Sequence, residues 1–178
     1  MGILSDATTF ATAAHDGQVD KAGVPYIQHP LRVMDQTLAW GLPVPIRAAA
    51  VLHDVVEDTH VEIEEIVAKF GNEVADPLRA LTHPRGEPYL GYIDRVIEAG
   101  PYVMAIKMAD MLDNTLPQRR KALDSATDER LARKYRPAWA RLRNAMSKEG
   151  RNDDVRVALS ASRVLLCSPV DLYWDGRR

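Results

Sequence analysis

The chain has 178 residues with a composition ordinary for a soluble globular protein, which allows one domain and a real core. No apolar run approaches the ~20 residues that span a bilayer, and "MGILSDATTF" lacks the pattern of a secretory leader, so a cytoplasmic protein without membrane contact is expected. The formal net charge of −2 hides an asymmetry: through Thr115 there are 8 Lys+Arg against 17 Asp+Glu, and beyond it 15 against 8.

Apolar spacing is helical almost throughout, and alternating strand patterns are nearly absent. An Ala-rich first helix covers 4–16, followed by the Gly- and Pro-punctuated loop "GQVDKAGVPYIQHP". A second helix runs from about Pro30, with proline at the first helical position, to Trp40, where Gly41 ends it. The link "GLPVP" leads into a third helix, "IRAAAVLHDVVED"; Thr59 is then placed to cap "VEIEEIVAKF", which stops at Gly71. Further helices are predicted over 72–82 and 90–99. Gly100 and Pro101 interrupt the chain before a long buried helix, "YVMAIKMADMLDNTL". Basic helical sequence continues to about Lys148, and a last helix lies near 152–166. No internal repeat occurs. The expected organisation is an all-α domain over 1–148 with a C-terminal helical extension over 149–178.

The stretch "VLHDVVEDTH" at 51–60 carries the strongest chemical signal. At helical spacing Glu57 lies one turn beyond His53 and Asp54, and Asp58 lies four residues after Asp54, so three carboxylates and an imidazole share roughly one face. No nearby Lys or Arg on that helix offsets their repulsion, and the cluster calls for a cation. Three separated places offer four candidate ligands: His29 in "YIQHPLRV", His53 with Asp54, and Asp110 in "IKMADMLDN". A mixed imidazole and carboxylate set suits manganese, iron or zinc, and four such groups leave positions open for water and a phosphate oxygen.

The order, spacing and flanks of these words resemble the HD-domain metal-dependent phosphohydrolases. Within them the chain is similar to the (p)ppGpp hydrolase branch, comprising the hydrolase domain of the SpoT/Rel proteins and the small stand-alone alarmone hydrolases. The matching words are "AAHDGQ", "KAGVPYIQHPLRV", "AAVLHDVVEDT", "FGNEVA", "LT" and "IKMADMLDN", spanning about 7–116 and more weakly to 146. The resemblance implies an HD-domain helical bundle and a hydrolase of the stringent response. Its cofactor would be a divalent metal, manganese first, held by His29, His53, Asp54 and Asp110. Glu57 and Asp58 would handle the proton of the attacking water, and Lys21, Lys107 and Asn114 match positions that line the nucleotide site. His15 is read as structural, and His60 and His83 as loop residues on the solvent side.

Two departures bear on substrate charge. Where the family offers two adjacent basic residues, Asp20 precedes Lys21, and Met111 follows Asp110 where arginine is usual. The basic tail, notably "RLARKYRPAWARL", could replace them, serve a neighbouring subunit, or only solvate a face. The leading function is hydrolysis of the 3′ pyrophosphate of (p)ppGpp. Two alternatives stand beside it, an HD nucleotidase or pyrophosphohydrolase of other specificity and a non-catalytic nucleotide-binding regulator. No nucleic-acid partner is expected, since no recognition motif accompanies the charge, and a homo-oligomer stays open. The single cysteine, Cys167, forms no internal disulfide and reads as core. Myristoylation is rejected because Asp6 stands where Ser or Thr is needed.

Overall fold

The computed structural model describes residues 2–149, so the extension expected over 149–178, with its helix near 152–166, lies outside the described residues save for its first position. Those residues form ten helices: α1 (Ile3–Ala14), α2 (Gln28–Ala39), α3 (Val44–Leu52), α4 (Val55–Asp58), α5 (Ile63–Phe70), α6 (Asn72–Leu81), α7 (Tyr89–Glu98), α8 (Pro101–Asn114), α9 (Pro117–Arg120) and α10 (Ser125–Glu149). The only extended pairing among them is an isolated bridge between Val19 and Pro25, so the all-α expectation holds. No helix among the described residues is long and apolar enough to cross a membrane.

Two helices form the centre. In α3 the run Ala48–Ala49–Ala50–Val51–Leu52 is wholly buried, and its small side chains let α1, α2 and α6 pack closely around it. In α8 the stretch from Val103 to Asp113 is buried except at Lys107, which is partly exposed. Gly100, at φ 104°, adopts a backbone open to glycine, and Pro101 then starts α8 at its first position. The amphipathic helices α7 and α10 cover α8 on one side and α2 covers it on another.

Three boundaries differ from the sequence expectation, and two of them concern the site. Helix α2 starts at Gln28, not Pro30, so His29 is a helical residue rather than a loop residue. Pro30 is tolerated there because first-turn N–H groups have no intrahelical acceptor in any case. The third predicted helix is two helices, broken at His53 and Asp54. His53 Nδ1 donates to the Ala50 carbonyl at 2.9 Å, the acceptor that the Asp54 N–H would use in an unbroken helix. Finally, α5 begins at Ile63 with Glu62 before it, and Thr59 caps nothing there. Its hydroxyl donates to the Val55 carbonyl and accepts the Val61 N–H, stabilising the end of α4 instead.

Candidate functional site

The first turn of α2, the break between α3 and α4, and the middle of α8 converge where these helices pack on one another. His29 Nε2 lies 3.5 Å from Asp54 Oδ2 and 3.2 Å from Asp110 Oδ1; His53 Nε2 lies 3.1 Å from Asp54 Oδ2 and 3.8 Å from Asp110 Oδ1. All four groups predicted as ligands therefore meet at one place. His29, His53 and Asp54 can each offer one atom such that these atoms lie within 4.8 Å of one another.

The partners of the outer ring nitrogens fix the tautomers. His53 Nδ1 faces a carbonyl and His29 Nδ1 faces the Asp113 carboxylate at 2.7 Å, and both are acceptors only. Each Nδ1 thus carries a proton, and in the neutral ring each Nε2 turns a lone pair towards carboxylate oxygens. His53 Nε2 is buried and satisfied by no hydrogen bond, although Asp54 Oδ2 is near. Lone pairs facing lone pairs in a buried place require positive charge between them. Burial opposes protonation of His53, yet Asp54 and Asp110 outweigh it and push the imidazole up to about 10. His29 is raised in the same way, against burial, by Asp110 and Asp113. Asp54 and Asp110 are held below the usual carboxylate range despite burial, Asp54 chiefly by His53 and Asp110 chiefly by Lys107. A site that draws protons this strongly fits a divalent cation, which would compete with them for the same four groups.

Glu57 and Asp58 stand on the exposed side of this cluster and line a cavity of about 170 Å³ with His53, Asp54 and Asp110. Glu57 accepts the His83 N–H at 2.9 Å, and Asp58 accepts the Tyr26 hydroxyl at 3.0 Å. Burial, followed by the neighbouring Asp54 charge, pushes the Asp58 carboxyl up. Burial likewise raises Glu57, against the His83 amide. Both are better proton acceptors near neutral pH than free carboxylates.

The HD-domain profile matches residues 7–86. The guanosine-3′,5′-bis(diphosphate) 3′-pyrophosphohydrolase MESH1 of Danio rerio is 32% identical over 120 residues, covering 63% of this chain and 67% of that protein. This chain belongs to the HD-domain hydrolase family. A probable guanosine-3′,5′-bis(diphosphate) 3′-pyrophosphohydrolase of Synechocystis is 31% identical over 154 residues, covering 81% of this chain and 20% of the relative. The chain spans only 16–20% of the first three relatives matched, so it corresponds to a fraction of those longer proteins. The solved structure of a metazoan ortholog of SpoT, which hydrolyses ppGpp and plays a role in starvation responses, shares the fold with a TM-score of 0.69 at 22% identity. That match covers 93% of this chain and 97% of the other.

Within this HD-domain site the residues assigned to substrate separate into two groups. Lys107 donates to Asp110 Oδ2 at 2.7 Å, and the Asn114 amide donates to Asp110 Oδ1. Both orient a predicted ligand, each from one turn away on α8, and both also line the smaller cavity. Lys21 stands apart in a second cavity of about 300 Å³, whose wall includes Asp20, Tyr26, Asn114, Arg119 and Tyr135. His83 is not a solvent-side residue: it lines the smaller cavity and holds Glu57 through its amide.

Five functional residues escaped the sequence reading. Tyr26 donates to Asp54 Oδ2 at 2.7 Å as well as to Asp58, and it sits in the "VPYIQHP" word one helical turn before His29. Asp113 lies one turn beyond Asp110 and behind His29, where Arg32 forks onto it with bonds of 2.6 and 3.1 Å and Arg119 adds a second cation. These contacts and His29 overcome burial and hold the Asp113 carboxyl down at about 2. Lys134, on α10, reaches the cavity beside Asp54, Glu57 and Lys107. Spacing of three residues from His29 and from Asp110 is a signal that could have exposed Tyr26, just before α2, Arg32 on α2 and Asp113 on α8. Nothing local points to Arg119 or Lys134, because their positions depend on how α9 and α10 pack.

Proposed function

We propose that this chain hydrolyses guanosine-3′,5′-bis(diphosphate) at its 3′ pyrophosphate, using a divalent metal, manganese first, held by His29, His53, Asp54 and Asp110. The cytoplasmic setting and the place in the stringent response expected from the sequence belong to the same proposal. The observation that carries it is two proton-accepting carboxylates, Glu57 and Asp58, on the open side of a buried imidazole and carboxylate cluster that demands positive charge. The names of the MESH1 and bacterial relatives supply the substrate class.

A bound divalent cation supplies a coordinated water of lowered pKa and polarises a phosphoryl oxygen. The chain's own residues do the rest. Tyr26 and Lys107 fix the orientation of Asp54 and Asp110, and Asp113 and Ala50 hold the two imidazole rings with Nε2 inward. Glu57 or Asp58 takes the proton of the attacking water as a phosphorus–oxygen bond forms and the bond to the ribose 3′ oxygen breaks; that oxygen takes up a proton in turn. Lys21 and Asn114, in the adjoining larger cavity, would face the nucleoside end.

A second reading, hydrolysis of a less charged nucleotide, is favoured by Asp20 beside Lys21 and by Met111, whose side chain is fully buried in the core and contributes no cation to either cavity. Metal-loaded protein incubated with a nucleotide panel separates the readings. GDP and pyrophosphate released from ppGpp are expected. Intact ppGpp beside cleavage of another nucleotide would favour the second reading, and binding without turnover of any would leave a nucleotide-binding regulator.

A further inference from the structure

The cavity beside the ligand cluster contains an imbalance of commitments. Four carboxylates line it, Asp54, Glu57, Asp58 and Asp110, and two lysines, Lys107 and Lys134. Lys107 is spoken for: it sits on α8, mostly buried, with its ammonium 2.7 Å from Asp110. Lys134 comes from α10, its stem exposed and its ammonium half-buried at the cavity wall, and it forms no ion pair among the described residues. Its ammonium instead rests 4.1 Å from the centre of the Tyr89 ring and 5.5 Å from that of Tyr135.

This arrangement is unusual for a lysine surrounded by carboxylates. The rings hold the charge at the cavity wall without an ion pair, which leaves it available to an anion that enters. Burial and the like charge of Lys107 push the Lys134 pKa down, against the pull of Asp110 and Glu57. An anion arriving in the cavity would relieve that pressure. Once a divalent cation neutralises two of the four carboxylates, the lysines balance the other two, and an entering phosphate meets no net repulsion. The two cations missing from the acidic part of the sequence, at Asp20 and Met111, thus have a counterpart contributed by the basic tail.

We propose that Lys134 is a specificity-determining residue of this site, a cation that α10 delivers on an aromatic platform to bind the phosphoryl oxygens of the group being removed. The inference rests on the phosphohydrolase reading above, and its chemistry is that of a pyrophosphate anion rather than of a base or a sugar.

The test uses the manganese-loaded protein with pyrophosphate as probe, followed by calorimetric titration, beside the ppGpp assay. Lys134→Met keeps the apolar stem and removes the charge, whereas Lys134→Arg keeps both the charge and the contact with the rings. Metal content and melting temperature should match wild type in both variants. Lys134→Met should bind pyrophosphate at least tenfold more weakly, with a shallower dependence on salt between 50 and 500 mM, and should raise KM for a phosphorylated substrate more than it lowers kcat; Lys134→Arg should restore affinity to within a few-fold. Pyrophosphate affinity and salt slope unchanged in Lys134→Met would overturn the assignment, as would failure of the wild-type protein to bind pyrophosphate at all. The two readings fail separately. Wild type that binds pyrophosphate through Lys134 but leaves ppGpp intact keeps the residue's role and sinks the substrate, while ppGpp cleavage indifferent to Lys134→Met does the reverse.

Discussion

The two sides of the site differ in how their charges are committed. On the buried side every ionisable group has a fixed partner: His53 an Ala50 carbonyl, His29 the Asp113 carboxylate, Asp110 both Lys107 and Asn114, and Asp113 two arginines. On the open side Glu57, Asp58, Lys21 and Lys134 are exposed, and both lysines stand without an ion pair among the described residues. A buried charge that loses its partner costs several kcal/mol, whereas an exposed pair is worth about 0–1 kcal/mol. The buried side is therefore built to hold a cation in one geometry. The open side keeps its charges where a reacting anion can reach them, and substitutions on the two sides should fail differently.

The largest effect is expected on the buried side. Replacing His53 by Ala removes a ring fully enclosed in the cluster and leaves Asp54 and Asp110 without one of their two imidazoles. Metal content should fall at least tenfold and turnover should vanish, as elemental analysis and an activity assay would show. Equal metal in wild type and variant would take the centre away from these residues.

On the open side the same severity in rate should come without loss of metal. Glu57→Gln keeps the shape and the His83 contact but removes the proton acceptor, so the rate should fall by roughly 10²–10⁴ while metal stays. Because burial raises both Glu57 and Asp58, the acid limb of kcat/KM should lie above the ordinary glutamate value of about 4.3, with activity rising as pH passes through the raised pKa and the base loses its proton. Metal lost in parallel with activity would move Glu57 to the buried side.

Asp113 sharpens the comparison in a stability measurement. Its folded pKa of about 2, against about 3.9 in an unfolded chain, corresponds to roughly 2–3 kcal/mol of stabilisation. The sign follows from the depressed folded value: the contribution is complete above pH ~4 and fades as pH falls towards 2. Asp113→Asn should lower the unfolding free energy at pH 7 by about that amount, and denaturant titrations at pH 7, 4 and 3 should show the gap from wild type closing. A gap independent of pH would assign the loss to packing. Metal affinity should fall up to about tenfold in the same variant, since the His29 Nδ1 proton then faces a neutral amide in place of a carboxylate.

The contrast also explains what was legible in the sequence. Three of the four predicted ligands, His53, Asp54 and Asp110, come from words in which apolar spacing declares a helix and a polar residue interrupts it; His29 was legible as a residue type in "YIQHPLRV", but its place inside α2 was not. The break at His53 and Asp54 was not legible. Its cause is a side chain bonding to the Ala50 carbonyl, and helix propensity carries no trace of that contact. Thr59 misled for a related reason: a good capping residue serves whichever helix end lies within reach, here the end of α4. Asp113 lay in plain sight one turn from Asp110, but its meaning depends on Arg32 and Arg119 converging from other elements. Lys134 was hidden most deeply. In "RLARKYRPAWARL" five residues are Arg or Lys, and only the packing of α10 against α7 and α8 decides which of them reaches the cavity.

The smallest effect, and the most discriminating for substrate choice, concerns Asp20. The sequence presents it as a misplaced negative charge beside Lys21 that should weaken the approach of a highly charged nucleotide. The structure adds a local function, since its Oδ1 accepts the Ala22 N–H at 2.9 Å and the Val24 N–H at 3.0 Å, which ties the loop that carries Lys21. Asp20→Arg would change charge and loop together. Asp20→Asn separates them, because the amide oxygen can still accept both bonds while the charge is gone. A half-exposed charge next to the cavity is worth at most about 1 kcal/mol, so kcat/KM for ppGpp should rise by no more than about fivefold at low ionic strength, and less at 0.5 M salt. A less charged nucleotide should gain less, and a wild type that handles it better than ppGpp would favour the second reading. If Asp20→Asn leaves both substrates unchanged at low salt while Asp20→Ala lowers the melting temperature, the residue serves the turn alone and the open side takes its selectivity from elsewhere.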